Sequence, residues 1–170
     1  IIQVDESGEN NIVIVPGANG KVTPRYAEEV FPLISGCEYF LLQLEIPIET
    51  CLRVLEMAKA EGRTTILDPA PAVELPEEIY GKVDYLTPNA SELSLLTGIE
   101  PETERSRGNA MRALLEKGIG GVILKSGKTG AYGLTKAEEF HVPGFSVEAA
   151  DTTAAGDAFN AGFALALSEG

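Results

Sequence analysis

The chain has 170 residues, 44% of them hydrophobic and 23% charged, which suits one globular domain with a sizeable core. Its 26 acidic and 13 basic side chains leave a net charge of −13. That argues against a general nucleic-acid or anionic-membrane partner, but not against a phosphate ligand held by a helix start and a bound cation.

Ile1 to Val4 and Asn11 to Val15 predict a hairpin with a polar tip at Asp5 to Glu9. Thr23-Pro24 reads as N-cap and first residue of a helix reaching Ile34, with a disturbance at Pro32. Tyr39 to Leu44 is a continuous apolar run, the pattern of a strand buried on both faces. A helix from Pro47 to Glu61 stops at Gly62, and Thr64 to Leu67 is the next short strand. Pro76 to Tyr80 gives one or two helical turns, Asp84 to Leu86 a strand, and Asn89 onward a helix through Leu96. A helix over Arg107 to Lys117 leads into a buried strand at Gly121 to Lys125. Short strands follow at Ala131 to Leu134, Phe140 to Val142 and Phe145 to Glu148. The last helix carries Phe159, Phe163 and Leu167 on one stripe, with Thr152 or Thr153 as its cap.

Strand and helix alternate through the middle of the chain. The expected architecture is therefore α/β, a mostly parallel central sheet flanked by helices. Residues 1–15 form the expected hairpin and 16–170 the core of a single, partial domain. Ligands of open parallel sheets collect at the carboxyl ends of the strands. The polar residues cluster there in sequence: Gln43 and Glu45, then Asp68, Asn89 and Glu92, Ser126 and Gly127, and last Asp151 to Asp157. Cys37 and Cys51 lack metal-site spacing and His141 is the one histidine, so two buried free thiols are expected. The apolar runs are too short to span a bilayer, and the first residues show no signal-peptide pattern. The chain starts without Met inside an apolar run, as a piece of a longer protein would.

Each motif admits two readings. Asp151-Thr152-Thr153-Ala154-Ala155-Gly156-Asp157 passes through small residues into a helix, whose first N–H groups and dipole suit an anion. Asp157 is then a base beside a phosphate, or only an acid stabilising its own helix start. Asn89 and Glu92, one helical turn apart, offer hard oxygens to Mg²⁺, or form a capping box. Ser126-Gly127-Lys128-Thr129-Gly130 invites a P-loop reading, but Val122 stands where the required Gly would be, so a glycine-bearing turn remains. Glu45 can accept from the hydroxyls of a polyol, or is an exposed loop carboxylate.

The Asp151–Asp157 segment resembles the D-T-x-[AG]-[AG]-G-D signature of the PfkB carbohydrate kinases, and Asn89-Ala90-Ser91-Glu92 resembles their N-x-x-E metal motif. Pro16 to Asn19, Gln43 to Pro47, Asp68 to Ala72 and Val142 to Phe145 are similar to the ribose-phosphorylating members, in the same order along essentially all 170 residues. The resemblance implies a ribokinase-like fold and transfer of the γ-phosphoryl of MgATP to the ribose 5-hydroxyl. Another sugar or nucleoside acceptor, or a non-catalytic nucleotide-binding fragment, are its rivals.

By the same resemblance, Asp157 is the base and contacts the sugar, which Glu45 also holds. The N–H groups of Ala154, Ala155, Gly156 and Asp157 form an anion hole. Asn89, Lys125, Gly127, Lys128, Gly130 and Gly156 lie along the nucleotide, although Lys125 stands where many members carry Thr. Asn89 and Glu92 organise Mg²⁺ through water, and Asp151 with the Thr153 carbonyl contributes to a K⁺ site. The N-terminal hairpin resembles part of a β-lid that pairs subunits into a homodimer, and a cytoplasmic location is expected. Family members carry further sequence on both sides of the segment matched here.

Overall fold

The structure is a computed structural model that describes residues 2–4, 10–12, 15–147 and 152–170. Strands β1 (Ile2–Val4) and β2 (Asn10–Ile12) pair antiparallel, Ile2 opposite Ile12, as the hairpin expectation requires. Its polar tip lies outside the described residues.

The six-stranded sheet runs β3 (Tyr39–Leu42), β4 (Thr64–Leu67), β5 (Tyr85–Leu86), β6 (Gly121–Lys125), β7 (Ala131–Thr135), β8 (Glu139–Val142), in spatial as in chain order. β3 through β6 are parallel, Tyr39 pairing with Thr64, Ile66 with Tyr85 and Tyr85 with Gly121. β7 and β8 are antiparallel additions. This is the mostly parallel α/β sheet that the alternation of strand and helix predicts.

A sheet whose parallel strands follow in sequence order, joined by right-handed crossovers, collects the connecting helices on one face. Here they are α2 (Ile48–Ala60), α3 (Glu77–Tyr80), α4 (Ala90–Thr97) and α5 (Glu104–Glu116). Their Leu55, Ile79, Leu93 and Leu114 are fully buried with Leu67, Leu86, Val122 and Leu124 of the strands. Each such side chain contributes about 1.5–3 kcal/mol relative to exposure. Helix α1 (Pro24–Ile34) lies outside α2, where Phe31 stacks on Phe40 at 5.4 Å. It starts as the sequence indicates, with the Thr23 hydroxyl accepting from the Tyr26 N–H. Pro32 does not end it, because in the last turn a missing N–H removes only one helical bond.

Helix α6 (Ala155–Glu169) takes the other face. Phe163 meets Tyr85 edge-on at 5.2 Å, and the Tyr39 hydroxyl donates to the Leu167 carbonyl at 2.8 Å. Leu41 on this face of β3 stays 47% exposed.

Three boundaries and one thiol differ from expectation. α5 begins at Glu104, not near Arg107: Thr103 and Ser106 form a reciprocal capping box that a Ser at the third position conceals from the usual Glu/Gln signature. Phe145 to Val147 form no strand, and Glu148 lies outside the described residues. The N-cap of α6 is Ala154, not Thr152 or Thr153, and makes no side-chain cap. Cys37 is exposed, because it sits in the turn after α1 and not in the strand behind it. Cys51 is buried as expected, its thiol donating to the Gln43 carbonyl at 3.2 Å and pushed by burial up to about 11.

Candidate active site

Because β3 to β6 are parallel, the residues just past each strand come out along one edge of the sheet. A cleft of ≈ 670 Å³ lies there, within the usual size of a small-molecule site. Gln43 and Glu45 line it from beyond β3, Asp68 from β4, Asn89 and Glu92 from beyond β5, and Lys125, Gly127 and Gly130 from β6. Across from them stand Ala154, Ala155, Gly156 and Asp157 at the start of α6. Residues spread from position 43 to 157 thus share one cavity. Among the described residues predicted for the site, Lys128 and Thr153 do not line it, and Asp151 lies outside the described residues.

Asn89 and Glu92 form the capping box in full. Glu92 N–H donates to Asn89 Oδ1 at 2.9 Å, Asn89 N–H to Glu92 Oε2 at 2.7 Å, and Asn89 Nδ2 to Glu92 Oε1 at 2.9 Å. The pairing does not exclude a metal role. A carboxylate oxygen has lone pairs beyond one accepted bond, and Glu92 faces the cleft although only 6% exposed. Burial pushes its carboxyl above the usual range. The Asn89 N–H and the Lys125 charge pull it down, and Asp68 pushes it up again. Removal from water costs the anion, so a cation arriving in the cleft would be welcome to it. No group of three or more His, Cys, Asp or Glu among the described residues forms a cage. Two hard-oxygen residues without a cage fit Mg²⁺, which keeps several of its waters.

Lys125 points its ammonium at Asp68, with Nζ 2.8 and 2.7 Å from the two carboxylate oxygens. The pair is mostly buried, 15% and 8% exposed at the side chains. Among the described residues, Lys125 is the one cationic side chain lining the cleft, against the carboxylates of Glu45, Asp68, Glu92 and Asp157. An anionic ligand here therefore needs a metal ion or main-chain donors to offset like charge.

The start of α6 is shaped for close approach. Ala154 adopts a left-handed conformation, φ 59°, which costs a residue with a Cβ about 1–2 kcal/mol. This turn brings the Ala155 N–H back to the Thr152 carbonyl at 3.1 Å and opens the helix beyond it. A Cβ on Gly156 would meet only Lys125 Nζ at 3.5 Å and Asp68 Oδ2 at 3.7 Å, so the protein itself does not demand glycine there. Gly130 is the opposite case: at φ 94°, a Cβ would lie 2.0 Å from the Val142 carbonyl oxygen. The Ser126–Gly130 turn, closed by Gly130 N–H to Gly127 O at 3.0 Å, is followed by β7 and not by the helix of a P-loop.

Two features of the site escaped the sequence reading. Phe145, 91% exposed, forms an apolar wall of the cleft with Val142 and Pro143. Asn160 donates from Nδ2 to Asp68 Oδ2 at 2.6 Å and is 8% exposed, whereas in sequence it is one polar residue in an apolar helix. Its spacing of three from Asp157 was the available signal.

A ribokinase-like sheet with a glycine-opened helix start facing hard-oxygen ligands is the frame of a small-molecule kinase class. The chain belongs to the pfkB family of carbohydrate kinases, whose pattern it matches over residues 1–170. It is 38% identical over 168 residues to a ribokinase of Staphylococcus aureus, covering 99% of this chain and 55% of that protein. A deoxyribokinase of Salmonella typhi is likewise 38% identical, over 164 residues, 96% of this chain and 54% of that protein. The structure of an Arabidopsis thaliana ribokinase complexed with ribose and ATP superposes with a TM-score of 0.90 at 32% identity, covering 99% of this chain and 55% of that one. The chain thus spans about half the length of the relatives it matches.

Proposed function

We propose that the protein transfers the γ-phosphoryl group of MgATP to the 5-hydroxyl of ribose. The observation that carries this reading is the convergence of Asp157, at the opened start of α6, with Glu45, Asn89 and Glu92 in one cleft. Phosphoryl transfer asks the protein mainly for positioning and for stabilisation of spreading negative charge. Asp157 accepts the hydroxyl proton as the oxygen attacks. The N–H groups of Ala154, Ala155, Gly156 and Asp157 face the growing charge, Ala155 sharing its donor with the Thr152 carbonyl. Glu45 orients the sugar by accepting from its hydroxyls. Gly127, Lys128 and Gly130 lie along the nucleotide, and Phe145 packs against its base. Asn89 and Glu92 would hold Mg²⁺ through its waters, and the ion would supply positive charge to offset that of the phosphates. Thr153 and Asp151 contribute to a K⁺ site, and the β1–β2 hairpin takes part in a homodimer.

In the full-length protein, Asp157→Asn should lower kcat by about 10²–10⁴ with ribose binding retained. Turnover near wild type would place the base elsewhere. The Salmonella typhi relative supports a second acceptor, deoxyribose, with the chemistry unchanged. A coupled assay across a sugar panel separates the two by their kcat/KM.

A further inference from the structure

Three elements are tied together beneath the first turns of α6. Lys125 ends β6 and Asp68 follows β4, and their charges meet at 2.8 and 2.7 Å. Asp68 Oδ2 also accepts from Asn160 of α6 at 2.6 Å. Asp68 and Asn160 are 6% and 8% exposed, so water competes little for these bonds. Since the acceptor is a carboxylate, the Asn160 amide must present its NH₂.

Asn160 lies three residues beyond Asp157, close to one helical turn, so the two share a side of α6. Both line a second, smaller cavity of ≈ 120 Å³ together with Gln43 and Asp68. Asn160 Oδ1 is buried and has no hydrogen-bond partner among the described residues.

We propose that Asn160 is a positioning residue: held through Asp68 to Lys125, it fixes the rotation and depth of α6 and so aims Asp157 at the acceptor hydroxyl. This rests on Asp157 being the base. Lys125 then serves the reaction through the helix, and not as a ligand of the nucleotide. The adjacency of Lys125 Nζ to Gly156, where a Cβ would stand 3.5 Å away, places the same anchor under the anion-binding turn. A base must stand within hydrogen-bond reach of its proton, and the network supplies the one buried polar bond between α6 and the strand ends among the described residues.

The test uses the full-length protein with ribose and ATP, comparing Asn160→Leu, Asn160→Ser, Lys125→Met and the double variant Asn160→Leu/Lys125→Met. Leu keeps the branched outline of Asn without its donor, and Ser keeps a shorter donor. Asn160→Leu should lower kcat by about 10²-fold, the scale of a 1 Å misplacement, with KM for ATP held within about twofold. Lys125→Met should behave alike, and the double variant should lose no more than the worse single one, as members of one network do. Circular dichroism melts establish that each variant is folded. If Asn160→Leu does not fold, Asn160→Ser carries the test, with a partial loss of kcat expected. Normal kcat in a folded Asn160 variant overturns the proposal. So does a Lys125→Met protein whose KM for ATP rises while kcat holds, since that is a nucleotide ligand. Asp157→Asn is assayed beside them: if it turns over normally the base assignment fails, whereas an inactive Asp157→Asn with active Asn160 variants sinks only the positioning role.

Discussion

Glu92 shows how one side chain can be both a structural cap and a metal candidate. Its two oxygens brace Asn89, yet burial leaves its charge poorly compensated, with its carboxyl titrating above the usual carboxylate range. The sign of the linkage follows. A carboxyl raised in the folded state favours folding while protonated, and that contribution is lost as pH rises from the unfolded value through the folded one. Once ionised, Glu92 is therefore a net burden until a cation beyond Lys125 comes near. Glu92→Gln should melt no lower than wild type at pH 7 in the absence of Mg²⁺, and its advantage should shrink as the pH falls through the carboxyl's own titration. The same variant should need more Mg²⁺ for turnover. A large loss of thermal stability at neutral pH would show that the carboxylate charge, and not its hydrogen-bonding shape, holds the cap. The residues of this site were largely legible in sequence because Glu45, Asp68, Asn89 and Gly127 each lie just past a strand, and Asp157 opens a helix behind a run of small residues. Asn160 was not, since hydrogen bonds across 92 positions leave no local pattern.

At the scale of elements, helix α6 separates what folding requires from what the cleft requires. Gly130 is fixed by the backbone packed against it, but Gly156 has only ordinary contacts at the place of a Cβ. Gly156→Ala should accordingly leave the melting temperature unchanged or raise stability by up to about 1 kcal/mol through helix propensity. Activity should nevertheless fall steeply, because a methyl group enters the anion-binding turn. Equal loss of stability and activity would mean that this glycine serves the fold. Strands and helices were readable where apolar period was strong, from Tyr39 to Lys125. Boundaries were missed where polar residues did the work, at Thr103 and Ser106, or where backbone conformation did, at the left-handed Ala154. The apolar run from Phe145 reads as a strand, yet its described residues 145–147 join no ladder and Phe145 lines the cleft.

Over the whole molecule, the charge of −13 is set against few cations, and the described ion pairs are mostly at the surface, where each adds little. Self-repulsion then outweighs attraction, and salt screens it within about 10 Å at 0.1 M. Stability should rise as NaCl increases from low ionic strength to near 0.15 M. A melting temperature that falls over this interval would show that the surface pairs dominate. Among the described residues, two hydrogen bonds tie α6 to the sheet on either side of the Phe163–Tyr85 contact, Asn160 through Asp68 and Leu167 through the Tyr39 hydroxyl. These clamps stand seven residues apart, about 10 Å along the helix axis. Residues 155–159 overhang the cleft by little more than one helical turn from the first clamp. So short an overhang is stiff, and the turn presents Asp157 and its neighbouring N–H groups to a ligand without having to be gathered up first.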